Sequence, residues 1–105
     1  MKLEIEHIYA KKRNKFEPLE ESENLELLGN KSLLEKRINI RAADYRFADK
    51  KIFYLGDKNR QGTKILELRR LAESKNDFTE YDILERNEKI FNHFVERLEN
   101  SRLFK

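Results

Sequence analysis

The stretch from Leu3 to Asn39 constrains this chain more than any other. It opens with an alternation over Lys2 to Tyr9. Leu3, Ile5 and His7 face one way and Glu4, Glu6 and Ile8 the other. A period of two predicts a strand. The second part is Leu28-Gly29-Asn30-Lys31-Ser32-Leu33-Leu34, in which Gly29-Asn30 is the strongest turn signal of the chain. Lys31 to Leu34 reads as a short strand or hairpin arm, and Asn39 lies nine residues beyond Asn30. Between the two parts, residues 10–24 are polar and hold the only proline, Pro18. They read as a long loop, functional or mobile.

After Glu35 the period changes. Ile38, Ala42, Tyr45 and Phe47 suggest a helix carrying Asn39 in its first turns, and Ala48 to Leu55 a further helix or turn. Gly56 to Gly62 is a polar break. Thr63 can cap a helix with Ile65, Leu68, Leu71 and Ala72 on its apolar face, ending at Asn76-Asp77. The last helix has a clear start. Thr79 and Asp82 form a capping-box variant, and Phe78 and Ile83 stand at the hydrophobic-staple positions. The helix is predicted to run from Thr79 to about Asn100, with Ile83, Leu84, Phe91, Phe94, Val95 and Leu98 on its core face.

The 105 residues fit one domain, with a front part at about 1–55 and a helical part at about 63–103. The fold class expected is α+β. Charged residues make up 41% of the chain, yet apolar residues recur throughout, which argues against wholesale disorder. The absence of cysteine excludes disulfides and thiolate zinc sites. No apolar run approaches the about 18 residues of a membrane span, and no signal-peptide core follows Met1. The expectation is a cytoplasmic protein with no membrane partner. The net charge of +3 points only weakly to a polyanion, but two basic clusters stand out: Lys11-Lys12-Arg13-Asn14-Lys15 and Lys50-Lys51.

Cleavage of a phosphodiester needs a base, a cation and positive groups to hold the backbone. His7 can be the base, since imidazole titrates near neutral pH. Glu6 and the side-chain oxygen of Asn39 are hard oxygen ligands suited to Mg²⁺. Asn30 can hold the hairpin or orient His7. Glu6 and His7 share a site only if the strand twists or ends there, since neighbours on a strand point to opposite faces.

At these residues the chain resembles the HNH, or His-Me finger, nucleases with their ββα-metal core. It is most similar to one branch, the C-terminal nuclease domain of GmrSD-type modification-dependent restriction systems. The resemblance rests on Glu6-His7-Ile8, on Leu28-Gly29-Asn30 with Leu33-Leu34, on Asn39, on Phe47-Ala48-Asp49-Lys50-Lys51, and on Thr79, Ile83 and Arg86. It spans Leu3 to Leu98. It implies His7 as general base, Asn30 as the supporting asparagine of the hairpin, and Glu6 and Asn39 as ligands of a divalent cation, Mg²⁺ or Mn²⁺. It also implies double-stranded DNA as substrate and a larger NTP-dependent sensor domain or subunit as partner; the basic clusters, Lys50, Lys51, Lys11, Lys12 and Arg13, are the expected contacts to the DNA backbone. Three positions depart from the branch: Ala10 and Arg46 stand where proline is usual, and Asp44 where a further asparagine is.

Other readings compete. His7 can be a half-buried strand residue, Asn30 only a turn residue, and Lys50-Lys51 a solvated helix face. His93 reads as a surface or packing residue, and Phe91, Phe94 and Leu98 as core. The alternative function is a catalytically inactive nucleic-acid-binding or assembly module with the same fold. A third class, a helical interaction domain, rests on the amphipathic back half alone.

Overall fold

The alternation at the N-terminus becomes strand β1, Leu3–His7, and the arm after Asn30 becomes β2, Lys31–Glu35. The computed structural model describes residues 2–42 and 46–101. The two strands form an antiparallel sheet with Ile5 opposite Leu33 and His7 opposite Lys31. Facing residues share a side, so Leu3, Ile5, His7 and Leu33 line one face, and Glu4, Glu6 and Leu34 the other. The alternation holds, but its polarity is inverted. Ile5 and Leu33 are exposed, whereas Glu6 and Leu34 are buried. The reason lies in what packs beneath: helix α3, Phe47–Leu55, sets Lys50 and Tyr54 under Glu6.

The expected loop at 10–24 contains structure. Helix α1 spans Lys11–Phe16, and a 3₁₀ segment spans Ser22–Glu26. Distant groups hold both. The Arg13 guanidinium lies over the Tyr9 ring, 4.3 Å from its centroid, and bonds Asp77 at 2.9 and 3.1 Å. The Glu80 carboxylate accepts hydrogen bonds from the Glu20 and Glu21 amides and from Asn24.

The turn Leu28–Asn30 is a single 3₁₀ turn leading into β2. Helix α2 follows at Lys36–Ala42 and buries Ile38 and Ala42. Tyr45 and Asp44 lie outside the described residues, so the expected continuation of α2 through Tyr45 is not described. Phe47 belongs to α3 instead, and Arg46 precedes that helix in an extended conformation. Helix α4, Leu66–Ser74, begins later than expected. Thr63 does not cap it; its hydroxyl donates to Glu35 at the end of β2, 2.6 Å away, and Ile65 takes the capping position. Gly56, with φ at 76°, ends α3 in a conformation that favours glycine.

Helix α5 runs Glu80–Glu99. Asp82 accepts from the Thr79 amide at 2.8 Å and from its hydroxyl at 3.0 Å, and Phe78 and Ile83 are both fully buried, as the capping signature predicts. The core joins Ile8, Leu34, Ile38, Phe47, Tyr54, Leu68, Ala72, Phe78 and Ile83. The Phe47 ring meets Phe78 at 5.9 Å and Tyr54 at 6.4 Å. The far half of α5 departs from expectation. Phe91 and Phe94 are 62% and 59% exposed and lie outside this core. Periodicity identifies an apolar face but supplies no surface for it to meet. Among the described residues no helix is long and apolar enough to cross a membrane.

Candidate active site

His7 ends β1, with its ring on the face opposite to Glu6. Its Nε2 lies 3.0 and 3.2 Å from the two carboxylate oxygens of Glu26, which closes the 3₁₀ segment after α1. A carboxylate only accepts, so Nε2 is the donor, and in its neutral form the ring has its lone pair on Nδ1. Lys31, across the ladder from His7, places its ammonium 3.2 Å from the same carboxylate. The Lys31 ammonium foremost, and the His7 ring after it, hold the Glu26 carboxyl below the usual range against the opposing effect of burial.

Asn30 is fully buried and clasps the chain that leaves His7. Its backbone carbonyl accepts from the Ile8 amide at 2.9 Å. Its Oδ1 accepts from the Tyr9 amide at 2.6 Å, and its Nδ2 donates to the carbonyls of Tyr9 at 3.0 Å and Leu25 at 2.9 Å. One side chain thus ties the exit of β1 to the segment that carries Glu26. The Tyr9 hydroxyl donates in turn to the Glu17 carbonyl.

Helix α5 secures this turn. Arg86 Nη1 donates to the carbonyls of Leu28, Gly29 and Lys31 at 3.0, 2.9 and 2.8 Å, while Nε and Nη2 grip Glu67 at 2.7 and 2.9 Å. The Gly29 amide donates to Asn87 Oδ1 at 2.9 Å. A Cβ on Gly29 would stand 2.1 Å from the Ile83 carbonyl, so the close seating of the turn on α5 requires glycine. These contacts give the Leu-Gly-Asn run and the Ile83 and Arg86 positions a shared structural purpose.

The family model for GmrSD restriction endonucleases, C-terminal domain, matches residues 1–93. The chain belongs to that family. Comparison with curated proteins and with solved structures gives no match. Within this GmrSD C-terminal domain, the two described departures from the branch pattern stand at backbone angles open to proline. Ala10 and Arg46 sit at φ of −67° and −66°, the angle a proline ring would impose. Asp44 lies outside the described residues.

The structure places the remaining expected site residues less uniformly. Glu6 and His7 do not share a face, because β1 stays regular through both. Glu6 is buried, and its Oε2 accepts from Lys50 Nζ at 3.2 Å and from the Tyr54 hydroxyl at 2.6 Å. A divalent ion there would have to displace an ammonium and a hydroxyl from a water-poor site, so Glu6 does not fit the metal role expected of it. Asn39 is partly exposed in the middle of α2, and among the described residues no hydrogen bond ties it to Glu6 or His7. No group of three His, Cys, Asp or Glu side chains suited to a metal occurs among the described residues.

Lys50, expected as a backbone contact, is 1% exposed and held inside by Glu6 and by the His7 carbonyl. The Arg13 guanidinium, expected in the same role, is bound to Asp77 and the Phe78 carbonyl. Lys51 donates to the Lys75 carbonyl at 2.9 Å and is half-buried. Lys11 and Lys12 are exposed on α1, as is His93 on α5. Sequence reasoning missed Glu26, Lys31 and Tyr54. Glu26 sits in an alternating Leu-Glu-Leu run, and nothing local distinguishes it from any exposed glutamate.

Proposed function

We propose that this domain hydrolyses phosphodiester bonds of duplex DNA, in the restriction of foreign or modified DNA in the cytoplasm, with His7 as general base. The observation that carries the reading is the hydrogen bond from His7 Nε2 to Glu26. It leaves Nδ1 to take a proton from water, and the carboxylate then stabilises the imidazolium that forms. The hydroxide formed attacks phosphorus, the bond to the leaving oxygen breaks, and that oxygen takes up a proton from solvent while the imidazolium later returns its own. Lys31 adds positive charge beside the base, and Lys11 and Lys12 face solvent where a backbone could pass. The chain order of β1, the Asn30 turn, β2 and α2 supports a ββα core of the HNH type.

A divalent cation, Mg²⁺ or Mn²⁺, belongs to this reading through the resemblance alone, and Glu6 is not assigned to it. A larger NTP-dependent sensor domain or subunit that delivers the DNA belongs to it on the same ground. The ammonium and hydroxyl that occupy the Glu6 carboxylate favour a second reading, an inactive nucleic-acid-binding or assembly module.

The test is plasmid cleavage by wild type and His7→Ala across pH, with Mg²⁺ or Mn²⁺ supplied. The variant should bind DNA as before and lose roughly 10²–10⁴-fold in rate near neutral pH. A folded variant that cleaves at the wild-type rate refutes the assignment. A wild type that binds but never cleaves supports the inactive module.

A further inference from the structure

We infer that the buried Glu6–Lys50–Tyr54 cluster is a positioning device for His7, not a cation site. The inference rests on the nuclease reading for its activity arm. Lys50 and Tyr54 lie one turn apart on α3, so a single helix face brings both to Glu6. Lys50 Nζ reaches Glu6 Oε2 at 3.2 Å and the His7 carbonyl at 2.7 Å. The ammonium therefore spans two successive residues of β1, gripping the side chain of one and the backbone of the next. The His7 ring leaves from the opposite face of the strand at that point.

Stability alone is a poor reason for such a cluster. A buried ion pair is seldom better than well-packed apolar side chains of the same volume, because desolvation offsets the attraction. What the pair supplies is direction: charge-assisted hydrogen bonds fix where the strand ends in a way apolar contacts do not. The Tyr54 hydroxyl donates to the same carboxylate at 2.6 Å, and burial foremost, followed by the Glu6 charge, raises its pKa well above 10.0, so it remains a donor. Three holds then converge on one residue. Lys50 holds the His7 carbonyl, Asn30 the two residues that follow, and Glu26 the ring. A shift of about 1 Å in a reacting group can cost ~10²-fold in rate.

The test uses a Glu6→Gln/Lys50→Met double variant and a Tyr54→Phe variant, each checked for folding. Plasmid cleavage gives kcat and KM, nitrogen NMR of the His7 ring reports its tautomer and hydrogen bond, and titration with Mn²⁺ alone gives cation affinity. The double variant should lose about 10–100-fold in kcat with KM unchanged, the scale set by that displacement. Its ring nitrogens should average towards a free imidazole, and Mn²⁺ affinity should stay as in wild type. Tyr54→Phe should shift the same signals in the same direction by less. Unchanged ring signals and kcat in a folded variant overturn the inference, and so does loss of Mn²⁺ affinity, which would make Glu6 a ligand. Should the wild type prove unable to cleave DNA, the nuclease reading fails, and the ring signals still decide the positioning role. Should the double variant not fold, Tyr54→Phe decides: unchanged signals overturn the inference.

Discussion

Replacing Asn30 by alanine should be among the most damaging single changes in the chain. The side chain makes bonds of 2.6, 3.0 and 2.9 Å, to the Tyr9 amide, the Tyr9 carbonyl and the Leu25 carbonyl. Its removal strands those backbone groups at a position where Asn30 itself is fully buried. An unsatisfied buried amide or carbonyl costs about 1–3 kcal/mol, and the Leu25 carbonyl, less buried, falls at the low end. The loss should reach about 3–6 kcal/mol, a large share of the 5–15 kcal/mol typical of a domain. With about 2.1 cal/mol/K of unfolding entropy per residue, the melting temperature should fall by about 15–25 °C. Urea unfolding followed by circular dichroism at pH 7 measures this directly. Asn30→Asp supplies the control, since it keeps the acceptor for the Tyr9 amide and turns a second oxygen on both carbonyls. It should be no better than alanine. A loss below about 1 kcal/mol for alanine, or recovery with aspartate, would show that the clasp does not hold the chain behind His7.

Gly29→Ala should destabilise by at least the ~1–3 kcal/mol typical of overpacking, because the new Cβ meets helix backbone at Ile83 and Asn87 and not a flexible tip; an unchanged urea midpoint would mean that the turn is not seated on α5. Acid should weaken the domain through Glu67 and Asp77, whose pKa values are lowered, foremost by hydrogen bonds from Arg86 and Arg13 respectively. Their contribution is full above the ordinary values of 4.5 and 3.8 and is lost as pH falls through the lower folded values. Urea midpoints against pH should therefore fall less steeply below that range for Glu67→Gln than for wild type, and parallel curves would contradict this. Double replacement of Lys11 and Lys12 by alanine should reduce the log–log salt slope of duplex binding by about 0.9 for each phosphate that a lysine no longer neutralises. An intact slope would leave those lysines as solvated charge.

Features set by neighbours in the chain were legible before any coordinates. Thr79, Asp82, Phe78 and Ile83 start α5 through contacts between residues three to five apart. The Gly29-Asn30 turn, the two strands and the apolar spacing of α4 are equally local. His7 and Asn30 stood out because several motifs follow one another in the order and spacing of the family, and the family match bears out the resemblance itself. The positions of Glu26 and Tyr54 carried no such mark.

What the sequence by itself determined is a set of local preferences: which segments extend, which coil, where a turn must fall, and which side of each helix is apolar. Only the tertiary structure decided what each charge meets. Lys50 reads as surface charge until α3 carries it 44 residues back to Glu6. Arg13 reads as a phosphate contact until Asp77, 64 residues on, takes its guanidinium. Phe91 and Phe94 read as core, but both stay largely exposed on α5. The physical reason is common to all three. Propensity and periodicity act over a turn or two of chain, whereas the free energy of a charge or an aromatic ring depends on what surrounds it, and packing brings those surroundings from residues far away in sequence.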